Sequence, residues 1–260
     1  MPVVDVNGAR LWYDEAGSGP AVLLLHGGLG DSGLWEAVVP LLAGSFRTLR
    51  TDLRFYGRSA GPNAPWSWEG DVLGMLDELA IERTALVGLS LGGRIALELA
   101  LDAPERFWAL ALVATGLGGH EVDPFSEEQN ERYDLAEAEG DAEAAMAIEF
   151  EVWAPLGVDE RIRALWNETP SANTLPEGVE PLPARGGPAK PRLAELSAPT
   201  LVVTAAHDPA GFREIGPLIA REAPNARHVE LDSDHYVTLR EPGLLSRVLL
   251  EFLAAAAPEE

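Results

Sequence analysis

Short apolar runs alternate along this chain with segments in which apolar residues recur every three or four positions. The apolar runs are typical of strands buried on both faces of a parallel sheet, and the periodic segments are typical of helices packed on those faces. Strands are predicted over residues 3–6, 9–15, 21–25, 47–51, 84–87, 107–114, 200–205 and 227–231. Helices are predicted over residues 32–43, 68–79, 91–101, 212–222 and 243–255. The alternation predicts an α/β fold with a doubly wound, mostly parallel sheet, which opens with a hairpin around Asn7-Gly8.

The alternation stops between residues 116 and 195, after the sixth strand. Helical periodicity runs through residues 127–139 and 142–153, and the stretch 157–191 is rich in Pro and Gly and is expected to be partly loop. Because strand character resumes at residue 200, we interpret this stretch as an insertion into a single domain. The expected organisation is a core of residues 1–115 and 196–260, with residues 116–195 forming a helical cap, or lid, above the binding crevice.

Charge and composition narrow the class of protein. The 260 residues carry a net charge of −23, which argues against nucleic acid or anionic membrane as a partner. Without cysteine there are no disulfides, thiol nucleophiles or thiolate metal sites. Few, scattered histidines predict no metal site, and nothing predicts a cofactor. With no long apolar span and no signal-peptide pattern, we expect a cytoplasmic protein, either a monomer or a homodimer.

Ser90 is the candidate nucleophile, at the centre of Gly88-Leu89-Ser90-Leu91-Gly92. A serine between a strand and a helix in this Gly-x-Ser-x-Gly pattern sits on a tight, strained turn that exposes its hydroxyl above the sheet. Such a short motif can arise by chance in a chain with 26 glycines. The predicted strand directly before it and the predicted helix directly after it favour the catalytic interpretation.

A second glycine-rich segment, His26-Gly27-Gly28, follows the predicted strand 21–25. A serine hydrolase needs two backbone N–H donors for the oxyanion of its tetrahedral intermediate. We expect the amide of Leu91, at the start of a helix, to be one donor and the amide of Gly28 to be the other. His26 is expected to brace this loop.

His235 is the candidate general base among five histidines, because it follows the last predicted strand, where catalytic groups of open α/β sheets gather. In this fold the triad order is Ser, then the acid, then His. Asp208, after the predicted strand 200–205, is the favoured acid. Asp123, Asp232 and Asp234 remain alternatives, although the last two are very close to His235 in sequence.

The motifs together resemble the α/β-hydrolase fold superfamily, over about the first 115 and last 65 residues. The segments that carry the resemblance are residues 26–28, 52–59, 88–93 and 234–242. The insertion is similar to the cap of small esterases related to 3-oxoadipate enol-lactonase. Phe55 and Ala205-Ala206 replace glycines usual in the family, and a serine at position 90 excludes the dehalogenase and epoxide-hydrolase branches, which use aspartate there.

The resemblance implies a carboxylic ester hydrolase whose substrate is a small ester or lactone, cleaved through an acyl-enzyme on Ser90. Phe55 and Trp153 are the predicted substrate-binding residues, while Trp35, Trp66 and Trp166 are further aromatic candidates for the pocket or the core. Three alternatives stay open: hydrolysis of a C–C bond with the same triad, perhydrolysis without a cofactor, and a ligand receptor without turnover.

Overall fold

An eight-stranded sheet forms the centre of the molecule in the computed structural model. The structure describes residues 2–62, 65–168 and 179–258, without the side chains of residues 166–168. The strand order is β1-β2-β4-β3-β5-β6-β7-β8, and all pairs except β1–β2 and β2–β4 are parallel. The strands are β1 (Val3–Val6), β2 (Ala9–Ala16), β3 (Ala21–Leu25), β4 (Arg47–Thr51), β5 (Thr84–Leu89), β6 (Phe107–Val113), β7 (Thr200–Ala205) and β8 (Ala226–Leu231).

The apolar runs of the sequence are the inner strands of this sheet. Every residue of β5, β6 and β7 is buried, as expected where helices cover both faces. The opening hairpin turns at Asn7 and Gly8, whose φ angles of 50° and 78° are the two positive values that a type I′ turn requires. The predicted fold class is therefore confirmed.

Helices cover both faces of the sheet. They are α1 (Val39–Leu42), α2 (Trp68–Glu78), α3 (Leu91–Asp102), α4 (Glu127–Glu139), α5 (Ala142–Trp153), α6 (Glu160–Glu168), α7 (Ala210–Glu222), α8 (Val237–Arg240) and α9 (Pro242–Ala256). Leu23 and Leu25 of β3 share one apolar cluster with α2, α3 and α7. Val22 and Leu24 share the other with α1 and α9. No helix of the described residues has the length and apolar character that crossing a membrane would require.

The continuous helix predicted over residues 32–43 is wrong. The structure has a 3₁₀ helix, Ser32–Trp35, and then the short α1. Asp31 caps the first piece by accepting a hydrogen bond from the Gly33 amide at 2.7 Å. Pro40 lies in the first turn of α1, where its missing N–H costs nothing, so the chain restarts a helix there instead of continuing one.

Three helices, α4, α5 and α6, lie between β6 and β7 among the described residues. Ser126 and Gln129 form a capping box at the start of α4, and Gly140 ends it with a φ of 69°. Asp141 then caps α5 through the Ala144 amide. The α4 and α5 bounds match the predicted periodic segments. The helix α6, in a stretch expected to be partly loop, begins after Asp159, whose carboxylate accepts from the Ile162 amide at 3.1 Å.

Candidate active site

Ser90 lies on the turn between β5 and α3, with φ 51° and ψ −111°. A non-glycine residue with such angles is strained by on the order of 1–3 kcal/mol and persists only where its surroundings hold it. The Ser90 amide donates to Val113 O at 2.9 Å, and the Ser90 carbonyl accepts from the amides of Arg94 and Gly116 at 3.0 and 3.2 Å. The chain thus has the strained turn that the motif predicts.

The glycines around Ser90 are required by close backbone approaches. A Cβ on Gly88 would lie 2.3 Å from Gly92 O, and a Cβ on Gly92 would lie 2.4 Å from Leu25 O. A Cβ on Gly93 would meet Thr115 Oγ1 at 2.5 Å. The start of α3 therefore packs directly on the end of β3, which brings Ser90 next to the glycine-rich loop after that strand.

That loop brings one of the two predicted oxyanion donors, Gly28, close to the other, Leu91. A Cβ on Gly27 would lie 3.3 Å from Ser90 Cβ, and one on Gly28 would lie 3.9 Å from Leu91 Cδ2. Leu91 is the first residue of α3, where backbone amides have no acceptor within the helix. Gly28 and Leu91 are thus neighbours beside Ser90.

The buried side chain of His26 links this loop to the chain after β4. It is fully buried, its Nδ1–H donates to Gly27 O at 2.8 Å, and its Nε2 accepts from the Leu53 amide at 2.9 Å. These two partners assign the neutral tautomer. Burial lowers the pKa of the imidazole, which keeps His26 uncharged. The side chain has the bracing position expected from the sequence.

His235 and Asp208 meet at the carboxyl ends of the strands. Asp208 Oδ2 and His235 Nδ1 are hydrogen-bonded at 2.9 Å, and the residues are only 5% and 3% exposed. Because a carboxylate accepts, Nδ1 carries the proton and Nε2 presents a lone pair. Nε2 is buried and has no hydrogen-bond partner within the described chain, so Ser90 Oγ is not hydrogen-bonded to it here.

The other candidate acids and bases have different partners. His120 accepts from Lys190 Nζ at 3.0 Å, His207 donates to Asp232 at 2.8 Å, and His228 is hydrogen-bonded to Thr204 at 2.7 Å. Asp123 accepts from the Phe125 amide and Asn130, and Asp234 pairs with Arg240. Of the four candidate acids, Asp208 is the one on the His235 ring.

The alanines that replace a family glycine before Asp208 are accommodated without strain. Neither Ala205 nor Ala206 is among the non-glycine residues with positive φ. The turn is held by backbone bonds, from Ala206 N to Leu231 O at 2.9 Å and from Asp208 N to Ala205 O at 3.2 Å. A glycine is therefore not needed at this turn.

Two aromatic rings contact the imidazole of His235. Trp153, at the end of α5, lies 4.4 Å away between ring centroids, and Phe212 lies 5.7 Å away. The two aromatic rings also contact each other edge to face at 5.1 Å. Trp153 is a predicted site residue, whereas Phe212 escaped prediction. Its position in the first turn of α7, four residues after Asp208, was the available signal.

Phe55 occupies a different position from Trp153. Its φ of 71° lies in the left-handed region, which explains why glycine is usual in the family at this point. The ring packs edge to face on Trp66 at 5.1 Å. The substrate-binding role of Phe55 stays a prediction. The side chain of Trp166 lies outside the described part.

Glu149, one turn before Trp153 on α5, also escaped prediction. Burial raises the pKa of its carboxyl, while hydrogen bonding from Trp153 and Tyr133 and the attraction of His235 work in the opposite direction. A carboxyl therefore stands on the face of α5 that covers His235. Among the described residues, no group of three or more His, Asp or Glu side chains has a geometry suited to a metal ion.

Comparison with known proteins identifies the family of this chain. Residues 20–242 match the model of the alpha/beta hydrolase fold family. The protein named "Putative carbamate hydrolase RutD" from Azorhizobium caulinodans is 29% identical over 97% of this chain and 98% of its own. The 2-hydroxy-6-oxo-6-phenylhexa-2,4-dienoate hydrolase of Burkholderia cepacia is 29% identical over 94% of this chain and 91% of its own. The enol-lactonase of Burkholderia xenovorans LB400 superposes with a TM-score of 0.74 at 26% identity, covering 97% of this chain and 100% of that one. The chain therefore belongs to the α/β-hydrolase fold family and resembles its enol-lactonase-like hydrolases.

Proposed function

We propose that this protein is a serine hydrolase that cleaves a small carboxylic ester or lactone. Ser90 is the nucleophile, His235 the general base and Asp208 the acid of the triad. The observation that carries the proposal is the pairing of His235 Nδ1 with Asp208, which leaves Nε2 as an uncommitted base. The strained turn at Ser90 supports it, because this strain is expected where a nucleophile must be exposed.

The reaction follows from these positions. Ser90 Oγ attacks the substrate carbonyl carbon, and His235 Nε2 takes the hydroxyl proton. Asp208 holds the ring and stabilises the imidazolium that forms. The proton then passes to the leaving oxygen as its bond to the acyl carbon breaks. Water, activated by the same Nε2, hydrolyses the ester of Ser90 and restores the free hydroxyl.

The oxyanion is assigned to the amides of Gly28 and Leu91. Both lie beside Ser90, and the α3 N-terminus adds a favourable dipole for negative charge. The loss of one such donor typically lowers kcat by about 10²–10³-fold. The brace from His26 to Gly27 O supports this assignment, because it fixes the loop that carries Gly28.

We assign residues 116–195 to a cap over a core of residues 1–115 and 196–260. The α4–α6 helices join the core between β6 and β7, and Trp153 at the end of α5 covers the His235 ring. Access to the triad is then governed by this cap, as expected for a lid that excludes water from the acyl-enzyme.

The proposed substrate is neutral or apolar. Trp153 and Phe212 give the site an apolar wall, and Glu149 places a carboxyl on the cap side of His235. The net charge of −23 adds a general repulsion of anions. Hydrolysis of a carbon–carbon bond is the second candidate function. It is favoured by the similarity, over nearly the whole length of both chains, to the 2-hydroxy-6-oxo-6-phenylhexa-2,4-dienoate hydrolase of Burkholderia cepacia.

The test is hydrolysis of 4-nitrophenyl esters of increasing chain length and of a set of lactones, with Ser90→Ala beside Ser246→Ala. Ser246 is buried in α9 and its hydroxyl has no partner in the described structure, so it controls for removal of a buried serine. Ser90→Ala should lower kcat by about 10⁴-fold or more, and Ser246→Ala should stay within about twofold. Wild-type turnover by Ser90→Ala would refute the triad. Labelling of Ser90 by a fluorophosphonate without ester hydrolysis would keep the nucleophile and overturn the substrate class.

A further inference from the structure

The residue directly before His235 carries a buried charge that the triad does not use. Asp234 is 0% exposed, and Arg240 Nε donates to its two carboxylate oxygens at 3.0 and 3.1 Å. Arg240 Nη2 donates to Asp234 Oδ2 at 2.7 Å. Removing two charges from water is costly, and a buried pair adds little net stability compared with apolar residues of similar size. The pair therefore calls for a role beyond stability.

The same pair reaches into the proposed cap. The Leu156 amide, just after α5, donates to Asp234 Oδ2 at 3.3 Å, and Arg240 Nη2 donates to Gly157 O. A third bond, from Arg161 Nη1 to Leu239 O at 2.6 Å, joins the start of α6 to α8. The junction between α5 and α6 is thus fastened to the segment that carries His235, 78 residues away in sequence.

This junction begins directly after the ring that covers the catalytic imidazole. Trp153 ends α5, three residues before Leu156, and its ring centroid is 4.4 Å from that of His235. Asp208 fixes only Nδ1 of the imidazole, and a ring held at one nitrogen can still swing about that bond. The tilted ring contact with Trp153 opposes this motion, and the Asp234–Arg240 pair holds the chain just after the helix that presents Trp153.

We propose that Asp234 and Arg240 are positioning residues that hold the cap against His235, so that Trp153 restrains the orientation of the imidazole and with it the direction of Nε2. The proposal rests on the proposed triad. Loss of the Arg240 fork should lower kcat, because the chemical step depends on the direction of Nε2, while KM changes little. The Asp208–His235 bond should remain.

The experiment is a double-mutant cycle of Arg240→Lys and Trp153→Leu, read as kcat and KM for a 4-nitrophenyl ester. Arg240→Lys keeps the positive charge near Asp234 but loses the fork, so it avoids an unpaired buried carboxylate. Each single variant should lower kcat by about tenfold, and the double variant should be no slower than the slower single one, because both remove the same restraint. A merely structural role would give effects that multiply, or none on kcat.

Arg192→Lys is the matched control. Arg192 and Arg240 side chains are both 16% exposed, and Arg192 donates to Asp102 at 2.7 Å, remote from the triad at the far end of α3. Its kcat should stay within about twofold. Asp234→Asn is the second variant, for the case in which Arg240→Lys does not fold, and urea unfolding checks that it is folded. It too should lower kcat while KM changes little. Unchanged kcat in folded Arg240→Lys and Asp234→Asn overturns the positioning role, and if Ser90→Ala is inactive at the same time the triad stands.

Discussion

Gly92→Ala is expected to separate the stability of the fold from catalysis at the turn that carries Ser90. The added Cβ would lie 2.4 Å from Leu25 O and 2.6 Å from His26 O, about 1 Å inside ordinary contact, which begins at 3.4 Å. Both atoms belong to the backbone of the end of β3 and its loop, so no side chain can turn away to make room. Either α3 moves with Ser90, or the loop that carries Gly28 moves.

The size of the effect follows from this overlap. Overpacking of this kind costs about 1–3 kcal/mol of stability, which a folded domain can tolerate. A displacement of about 1 Å between nucleophile and oxyanion donors costs about 10²-fold in rate. We therefore expect a folded Gly92→Ala protein whose kcat/KM is lower by about two orders of magnitude.

The assay compares urea unfolding with ester hydrolysis, and Gly243→Ala serves as the control. A Cβ on Gly243, in the first turn of α9, meets nothing within 4 Å. That variant should keep full activity and gain up to about 1 kcal/mol from its higher helix propensity. Wild-type kcat/KM in folded Gly92→Ala would refute the reasoning that backbone contact at this glycine fixes the site.

Three further changes test charge and proton placement. Asp208→Asn should lower kcat by about four orders of magnitude at similar KM, because the amide no longer fixes the Nδ1–H tautomer; a loss below tenfold contradicts this role. Glu149→Gln should raise kcat/KM for an anionic hemisuccinate ester over that for the neutral butyrate by about fivefold, and an unchanged ratio would remove Glu149 from substrate selection. Burial raises the pKa of Glu98 from 4.5 to about 7, and Glu69 faces it. The protonated form is favoured in the fold, so stability is lost as pH rises through about 7. The melting temperature of Glu98→Gln relative to wild type should be higher at pH 8 than at pH 5 by about 5 °C, and no difference would contradict a buried, protonated Glu98.

The sheet and the order of the candidate triad were predictable because they depend on local patterns. Strands buried on both faces must be continuous apolar runs, as in β5, β6 and β7. A parallel sheet brings the carboxyl ends of its strands to one edge, so Ser90, Asp208 and His235 could be expected at that edge from their places after strands alone. The structure brings Asp208 and His235 together, and the role of the three residues as a triad stays a prediction.

The surroundings of the candidate triad were not predictable, because they depend on how separate segments dock. Glu149, Phe212 and Arg240 lie on three different helices. Only the place of Phe212, four residues after Asp208, signals a position near His235, and nothing in the local sequence of Glu149 does so. The α4 sequence is polar on nearly every side, with Ala136 as its one buried residue in the described chain. The way this helix packs is therefore decided by tertiary contacts and not by an apolar stripe.

The entry and exit of the α4–α6 segment have a consequence for protein engineering. The segment leaves from β6 and returns to β7, which are hydrogen-bonded neighbours in the sheet. A chimera could therefore exchange this segment for that of another family member without altering strand order. The donor segment would need a free amide and carbonyl where Leu156 and Gly157 meet Asp234 and Arg240. The presence of these two backbone contacts is therefore a criterion by which donor segments for functional chimeras can be chosen in advance.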